Sequence, residues 1–180
     1  MDLEKSCAFT GHRQKSLPWG YNENDPACIR LKARLRDGVL DLITGSGVRH
    51  FISGMAQGVD TYAAELIIAL RESGFPVTLE CALPCGGQES RWTEAAQQRY
   101  RSLLSQCDIL TQLQEKYTPG CMQARNRYMV AHSRFVLAVQ AARSALHSVL
   151  TARLSGLTRS DRKIQKNSAI FGCFLPKKRA

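Results

Sequence analysis

The chain has 180 residues, is 44% hydrophobic and carries a formal charge of +10. That length suits one α/β domain with a real core, and without an apolar run of about 18 residues no membrane span is expected. The charge is uneven: residues 1–140 hold 16 Lys/Arg against 14 Asp/Glu, net +2, and residues 141–180 hold nine against one, net +8. The basic character belongs to the tail, so the near-neutral body argues against a nucleic-acid partner, whose phosphates need clustered cations. Seven cysteines, Cys7, Cys28, Cys81, Cys85, Cys107, Cys121 and Cys173, are scattered and odd in number. They read as free thiols in a reducing cytoplasm rather than a disulfide framework. Cys81 and Cys85 have no second pair at zinc-site spacing, so no metal is expected. The short acidic start, Met1-Asp2-Leu3-Glu4, is not a signal peptide.

Cys7-Ala8-Phe9-Thr10-Gly11 reads as a first strand, with His12 and Arg13 at its carboxyl end. Pro18 to Pro26 is a loop rich in turn formers, in which Trp19 and Tyr21 either stack on a base or cover the core. Leu31, Leu35, Val39 and Leu42 give a helix from about Ala27 to Ile43, ended by Thr44-Gly45-Ser46-Gly47.

The stretch from His50 to Asp60 reads as a buried strand, a glycine-bearing turn and the first turn of a second helix. Gly54 and Gly58 permit positive φ and close approach to the backbone. Unpaired N–H groups at such a helix start favour an anion, most often a phosphate. Asp60 either caps that helix or meets a sugar hydroxyl; a plain strand-to-helix turn without a ligand has the same spacing. A third strand over Val77–Leu83 ends at Pro84-Cys85-Gly86-Gly87. A third helix is expected from Gln88 to Ser105, with Trp92 and Tyr100 toward the core. Asp108–Leu113 is a fourth strand, Cys121–His132 a fourth helix and Arg134–Val139 a fifth strand.

This alternation predicts a three-layer α/β/α Rossmann-like sandwich with a mainly parallel five-stranded sheet. The strands' carboxyl ends converge on one edge, where a ligand belongs. The candidate ligand-binding set is Gly11, His12, Arg13, Ser53, Gly54, Met55, Gly58, Asp60, Arg125 and Asn126. Arg125 either clamps a phosphate or pairs with Glu115 or Asp108. Glu65 and Glu89 are the acids near the edge, and a lone helical glutamate is more often a solvated face than a catalytic base. In residues 141–180, an atypical basic tail, Leu146, Val149, Leu150, Leu154 and Leu157 suggest one helix before a disordered end at Lys177-Lys178-Arg179.

Thr10-Gly11-His12-Arg13, Leu17-Pro18-Trp19-Gly20-Tyr21, Phe51 to Asp60, Ala82-Leu83-Pro84-Cys85, Gln88 to Trp92 and Tyr117 to Val130 together resemble the YpsA-like family of the SLOG superfamily. That superfamily includes the DNA-processing protein DprA and the LOG enzymes. The resemblance covers roughly residues 7–139. It implies a Rossmann-like bacterial domain that binds a nucleotide or an ADP-ribose-type ligand, as a sensor more than an enzyme, and a homodimer as one possible assembly. The Pro-Gly-Gly-rich motif of the catalytic LOG enzymes is absent, which argues against phosphoribohydrolase activity. The family's Gly-Gly-Thr phosphate loop after the fifth strand is also missing, since no glycine occurs between Val139 and Gly156. A frameshifted or diverged end accounts for that departure and for the shift in tail composition.

Overall fold

Strand β1 (Ser6–Thr10) is buried along its whole length and lies inside the sheet. The computed structural model describes residues 2–140 and 148–153. The remaining elements are α1 (Pro26–Ser46), β2 (His50–Ser53), α2 (Val59–Glu72), β3 (Thr78–Leu83), α3 (Glu94–Leu104), β4 (Ile109–Gln112), α4 (Cys121–Ala131), β5 (Phe135–Gln140) and β6 (Ser148–Arg153). The sheet order is β4-β3-β2-β1-β5-β6. The five expected strands are all parallel, as helical crossovers require.

Successive strand residues point to opposite faces, and this divides the core. Phe9, Phe51, Leu79 and Leu137 face α1, α2 and α3, joined by Leu35, Val39, Ile67 and Leu103. Ala8, Ile52 and Ala82 form a smaller cluster with Met129 of α4 on the other face. The chain therefore has three layers. After β4 it crosses the second face through α4 and returns beside β1, so β1 and β5 flank the point where strand order reverses.

Local chemistry fixes the helix ends. Asp25 caps α1 by accepting the Ala27 N–H at 2.7 Å, Pro26 sits in the first turn, and Gly47 closes it at φ 67°. Two elements differ from the sequence expectation. Helix α3 starts at Glu94, not Gln88, because Thr93 takes the cap position and accepts the Ala96 N–H at 3.4 Å. Residues 88–92 are therefore loop. The segment Ser148–Arg153 is a strand, not part of a helix. It pairs antiparallel with β5 from Gln140↔Ser148 to Phe135↔Arg153, satisfying backbone groups that an open β5 edge would leave unpaired. Leucine spacing in so short a run does not separate helix from strand. The sheet thus has six strands, and the other tail positions named above lie outside the described residues. Among the described residues no helix is long and apolar enough to cross a membrane.

Candidate functional site

The segments after β1 and β2 are laced together at the carboxyl edge of the sheet. Arg13 and Gly58 form an antiparallel bridge, the Gln14 N–H donates to the Gln57 carbonyl at 3.0 Å, and the Val59 N–H reaches the His12 carbonyl at 3.5 Å. Gly58 sits at φ 109°, and a Cβ there would lie 2.7 Å from both the Gln14 nitrogen and the His12 oxygen. Gly58→Ala is expected to cost about 1–3 kcal/mol of stability, from left-handed strain and loss of this lacing. Urea denaturation measures it, and an unchanged midpoint would contradict the tight fit.

Inside this lacing the turn from Ser53 to Asp60 braces itself. Ser53 Oγ donates to the Asp60 carbonyl at 2.8 Å and accepts the Met55 N–H at 3.2 Å. The Asp60 carboxylate accepts the Ala56 N–H at 3.4 Å, so the chain's own anion stands at the start of α2. Met55 is buried at φ 56°, and its carbonyl accepts from Gln88 Nε2 at 3.1 Å.

Arg125, one turn into α4 and 6% exposed, reaches across to this turn. Its Nη1 donates to the Gly54 carbonyl and lies 3.6 Å from Asp60 Oδ2, while its Nε donates to Asn126 Oδ1 at 2.9 Å. A Cβ at Gly54 would collide with the guanidinium, so glycine is what admits Arg125 here. Neither Glu115 nor Asp108 is the partner; Asp108 pairs with Arg71 at 2.7 Å. Burial pushes the Asp60 carboxyl up against the pull of Arg125, the Ala56 N–H and Arg13. Burial likewise lowers Arg125 against the pull of Asp60.

Where the segments after β1 and β2 meet opens a cleft of about 200 Å³, lined by Arg13, Gln14, Lys15, Tyr21, Ala56, Gln57, Gln88, Trp92 and Met122. Of the ten candidate positions only Arg13 lines it. Gly11 packs against the Val59 side chain, and His12 is half-buried with its carbonyl in the lacing. Ser53, Gly54, Met55, Gly58 and Asp60 belong to the turn that supplies Ala56 and Gln57 to the lining, and Arg125, with Asn126 bonded to it, contacts that turn without lining the cleft. Trp19 is 7% exposed in the core, and Tyr21 is 66% exposed beside the cleft. Trp92 packs on the core and edge-on to Tyr100 at 5.3 Å between ring centres, but it also faces the cleft. Of the lining residues passed over in the sequence, Gln14 and Lys15 sit one and two positions beyond Arg13, while Gln57 lies inside the stretch Phe51 to Asp60 and Gln88 opens the stretch Gln88 to Trp92. Their place at strand carboxyl ends was the available signal.

The lining carries two cations and no carboxylate. Glu65 is held by Arg99 at 2.5 and 2.7 Å. Among the described residues no three His, Cys, Asp or Glu side chains are grouped to hold a metal ion.

The chain matches the model of the YspA SLOG family over residues 7–149, running past Val139. It is 28% identical over 131 residues to UPF0398 protein BH1768 of Halalkalibacterium halodurans, covering 72% of this chain and 68% of that one. It is 27% identical over 127 residues to the uncharacterized SPbeta prophage-derived protein YoqJ of Bacillus subtilis, covering 64% and 74%. UPF0398 protein ABC2016 of Shouchella clausii is 26% identical over 128 residues, covering 69% of this chain and 67% of that protein. With the parallel sheet and its edge turns in the order those motifs require, this chain belongs to the YspA SLOG family.

Proposed function

We propose that the chain binds a nucleotide or nucleotide-derived ligand in the cleft, as a sensor or regulatory protein of the bacterial cytoplasm. One observation carries this: a cleft at the sheet's carboxyl edge lined by Arg13, Lys15, three glutamines and two aromatic rings, with no acid. Guanidinium and ammonium groups suit phosphate oxygens, glutamine amides suit the polar edge of a base or sugar, and Tyr21 and Trp92 offer faces for a planar ring. The bracing of Ser53, Asp60 and Arg125 holds the turn that carries Ala56 and Gln57 into the lining. Binding rather than catalysis is favoured because Asp60 and Glu65 are both engaged by arginines and neither they nor Glu89, which follows Gln88 in the loop, line the cleft, so the lining supplies no carboxylate as a general base.

The test is a thermal-shift screen with AMP, ADP, NAD and ADP-ribose, inorganic phosphate serving as the control, followed by calorimetric titration. Arg13→Ala and Lys15→Ala are each expected to weaken binding about 10- to 100-fold, as loss of a charged hydrogen bond does. Both side chains are exposed, so neither variant should change the melting temperature of the free protein. No shift with any of the four compounds, or a shift untouched by both substitutions, would refute the assignment. Release of free base from AMP would show instead that the site is hydrolytic.

A further inference from the structure

The loop over residues 18–25 passes beside the cleft, and it is anchored on both sides of Tyr21. Trp19, two positions before, is in the core. Glu23, two positions after, accepts Arg99 Nη1 at 2.5 Å, Arg99 Nη2 at 3.1 Å and Lys32 Nζ at 2.6 Å. Arg99 of α3 also holds Glu65 of α2 through Nε at 2.5 Å and Nη2 at 2.7 Å. Lys32 of α1 lies 4.6 Å from the centre of the Tyr62 ring, and the Arg99 guanidinium 5.9 Å from it. One carboxylate from the loop therefore meets charges from α1 and α3, and α2 joins through Arg99.

The helix layer does not need Glu23. Arg99 and Glu65 already join α2 to α3 through two parallel bonds, the strong geometry for such a pair. What Glu23 adds is the loop, and the loop carries Tyr21 to the cleft. Burial works to raise the Glu23 carboxyl, but Arg99 and Lys32 together hold it below its ordinary value, so the latch stays ionised. A ring fixed in place before binding loses less freedom when a ligand stacks on it.

We propose that Glu23 is a positioning residue: its ion pairs with Arg99 and Lys32 hold Tyr21 at the cleft for stacking on a planar heterocycle, an inference that rests on the nucleotide assignment above. Glu23 itself touches no ligand. The ligand's ring lies toward Tyr21 and its anionic group toward Arg13 and Lys15.

Two measurements test this on the full chain. The chain has two tryptophans, so Trp92→Phe isolates the emission of Trp19. In that background Glu23→Gln is expected to raise acrylamide quenching of Trp19 about twofold, with a melting shift of no more than about 4 °C, because ion pairs that solvent still reaches add little global stability. With Trp92 intact, Glu23→Gln should weaken ADP binding about fivefold. In a Tyr21→Ala background it should cause no further loss, because the ring it positions is gone. Trp19 as protected as before, or an equal ADP loss with and without Tyr21, overturns the role of Glu23. Unchanged ADP affinity with Trp19 newly exposed overturns it too, and leaves the nucleotide assignment standing. Absence of binding by the unmodified chain to all of AMP, ADP, NAD and ADP-ribose removes that assignment, and the stacking role of Tyr21 with it, while the Trp19 result still reports on the latch; where ADP alone fails, the affinity measurement uses whichever of the four binds.

Discussion

Replacing Arg125 by methionine is expected to lower the unfolding free energy by about 3–5 kcal/mol, the usual result of leaving a buried charge without its partner. Asp60 is 8% exposed, and Arg125 is the cation set against its carboxylate. The Ala56 N–H at 3.4 Å does not replace that charge. The Gly54 carbonyl loses its donor at the same time. Yet the pair is not a strong source of stability. Burial moves each partner against its charged form, Asp60 upward and Arg125 downward, so desolvation outweighs what the two gain from each other. Adding Asp60→Asn to Arg125→Met should therefore restore about 2 kcal/mol or more, since asparagine still accepts the Ala56 N–H and no buried charge remains. Losses that simply add would contradict this account.

The pH dependence of that variant has a fixed sign. The folded chain holds the Asp60 proton more tightly than the unfolded chain, whose carboxyl titrates near 3.8. Stability from such a group is present below the unfolded value and is lost as pH rises through the folded one. Removing Arg125 removes the largest downward pull on Asp60, so the folded value climbs further. The deficit of Arg125→Met should shrink on going from about pH 7.5 to about pH 5, as measured by urea titration. A deficit that grows on acidification would place the proton elsewhere.

The sequence disclosed what local pattern encodes. Five apolar runs, each followed by turn residues, located the five parallel strands. Leu31, Leu35, Val39 and Leu42 located α1, and all four are buried. Partnerships across the fold were not legible. Arg125 and Asp60 meet only because α4 crosses behind the β2 turn, and no spacing records a contact 65 positions apart. The start of α3 was obscured because Glu89 to Trp92 could continue a helix, and only the Thr93 cap decides otherwise. Strand β6 was hidden by leucines at an ambiguous spacing. At the cleft Arg13 stood out as a cation at a strand end. Gln14, Lys15 and Gln57 gave no signal and Gln88 read as the start of a helix, because an amide gains its meaning from what it faces. Tyr21 and Trp19 carried the same pair of alternatives, and the fold sent one to the cleft and the other to the core.

Glu80 is the plainest case of chemistry that a sequence conceals, and Glu80→Ala is expected to cost about 3–5 kcal/mol. Nothing in the apolar run of strand β3 marks its one carboxylate, whose side chain is fully buried on the α4 face. His50 Nε2 of β2 donates to Oε2 at 2.9 Å, and His50 Nδ1 lies 3.0 Å from Thr78 Oγ1. Thr111 Oγ1 of β4 and the Tyr128 hydroxyl of α4 donate to Oε1 at 2.8 and 2.7 Å. One carboxylate thus ties three strands to α4, the one helix on that face among the described residues, and alanine would orphan three donors at once. Burial pushes the Glu80 carboxyl up, but hydrogen bonds from His50, Tyr128 and Thr111 outweigh it and hold the group below its ordinary 4.5. The sign is opposite to that of Asp60. The contribution of Glu80 is present above the unfolded value and is lost as pH falls through the folded one. The unmodified chain should lose stability from this group below about pH 4.5, and Glu80→Gln, less stable at neutral pH, should have a flatter acid limb. Urea titrations from about pH 7 to about pH 3 decide it. Acid limbs that overlay would mean that the carboxyl is already protonated in the folded chain, and that the three donors hold a neutral acid.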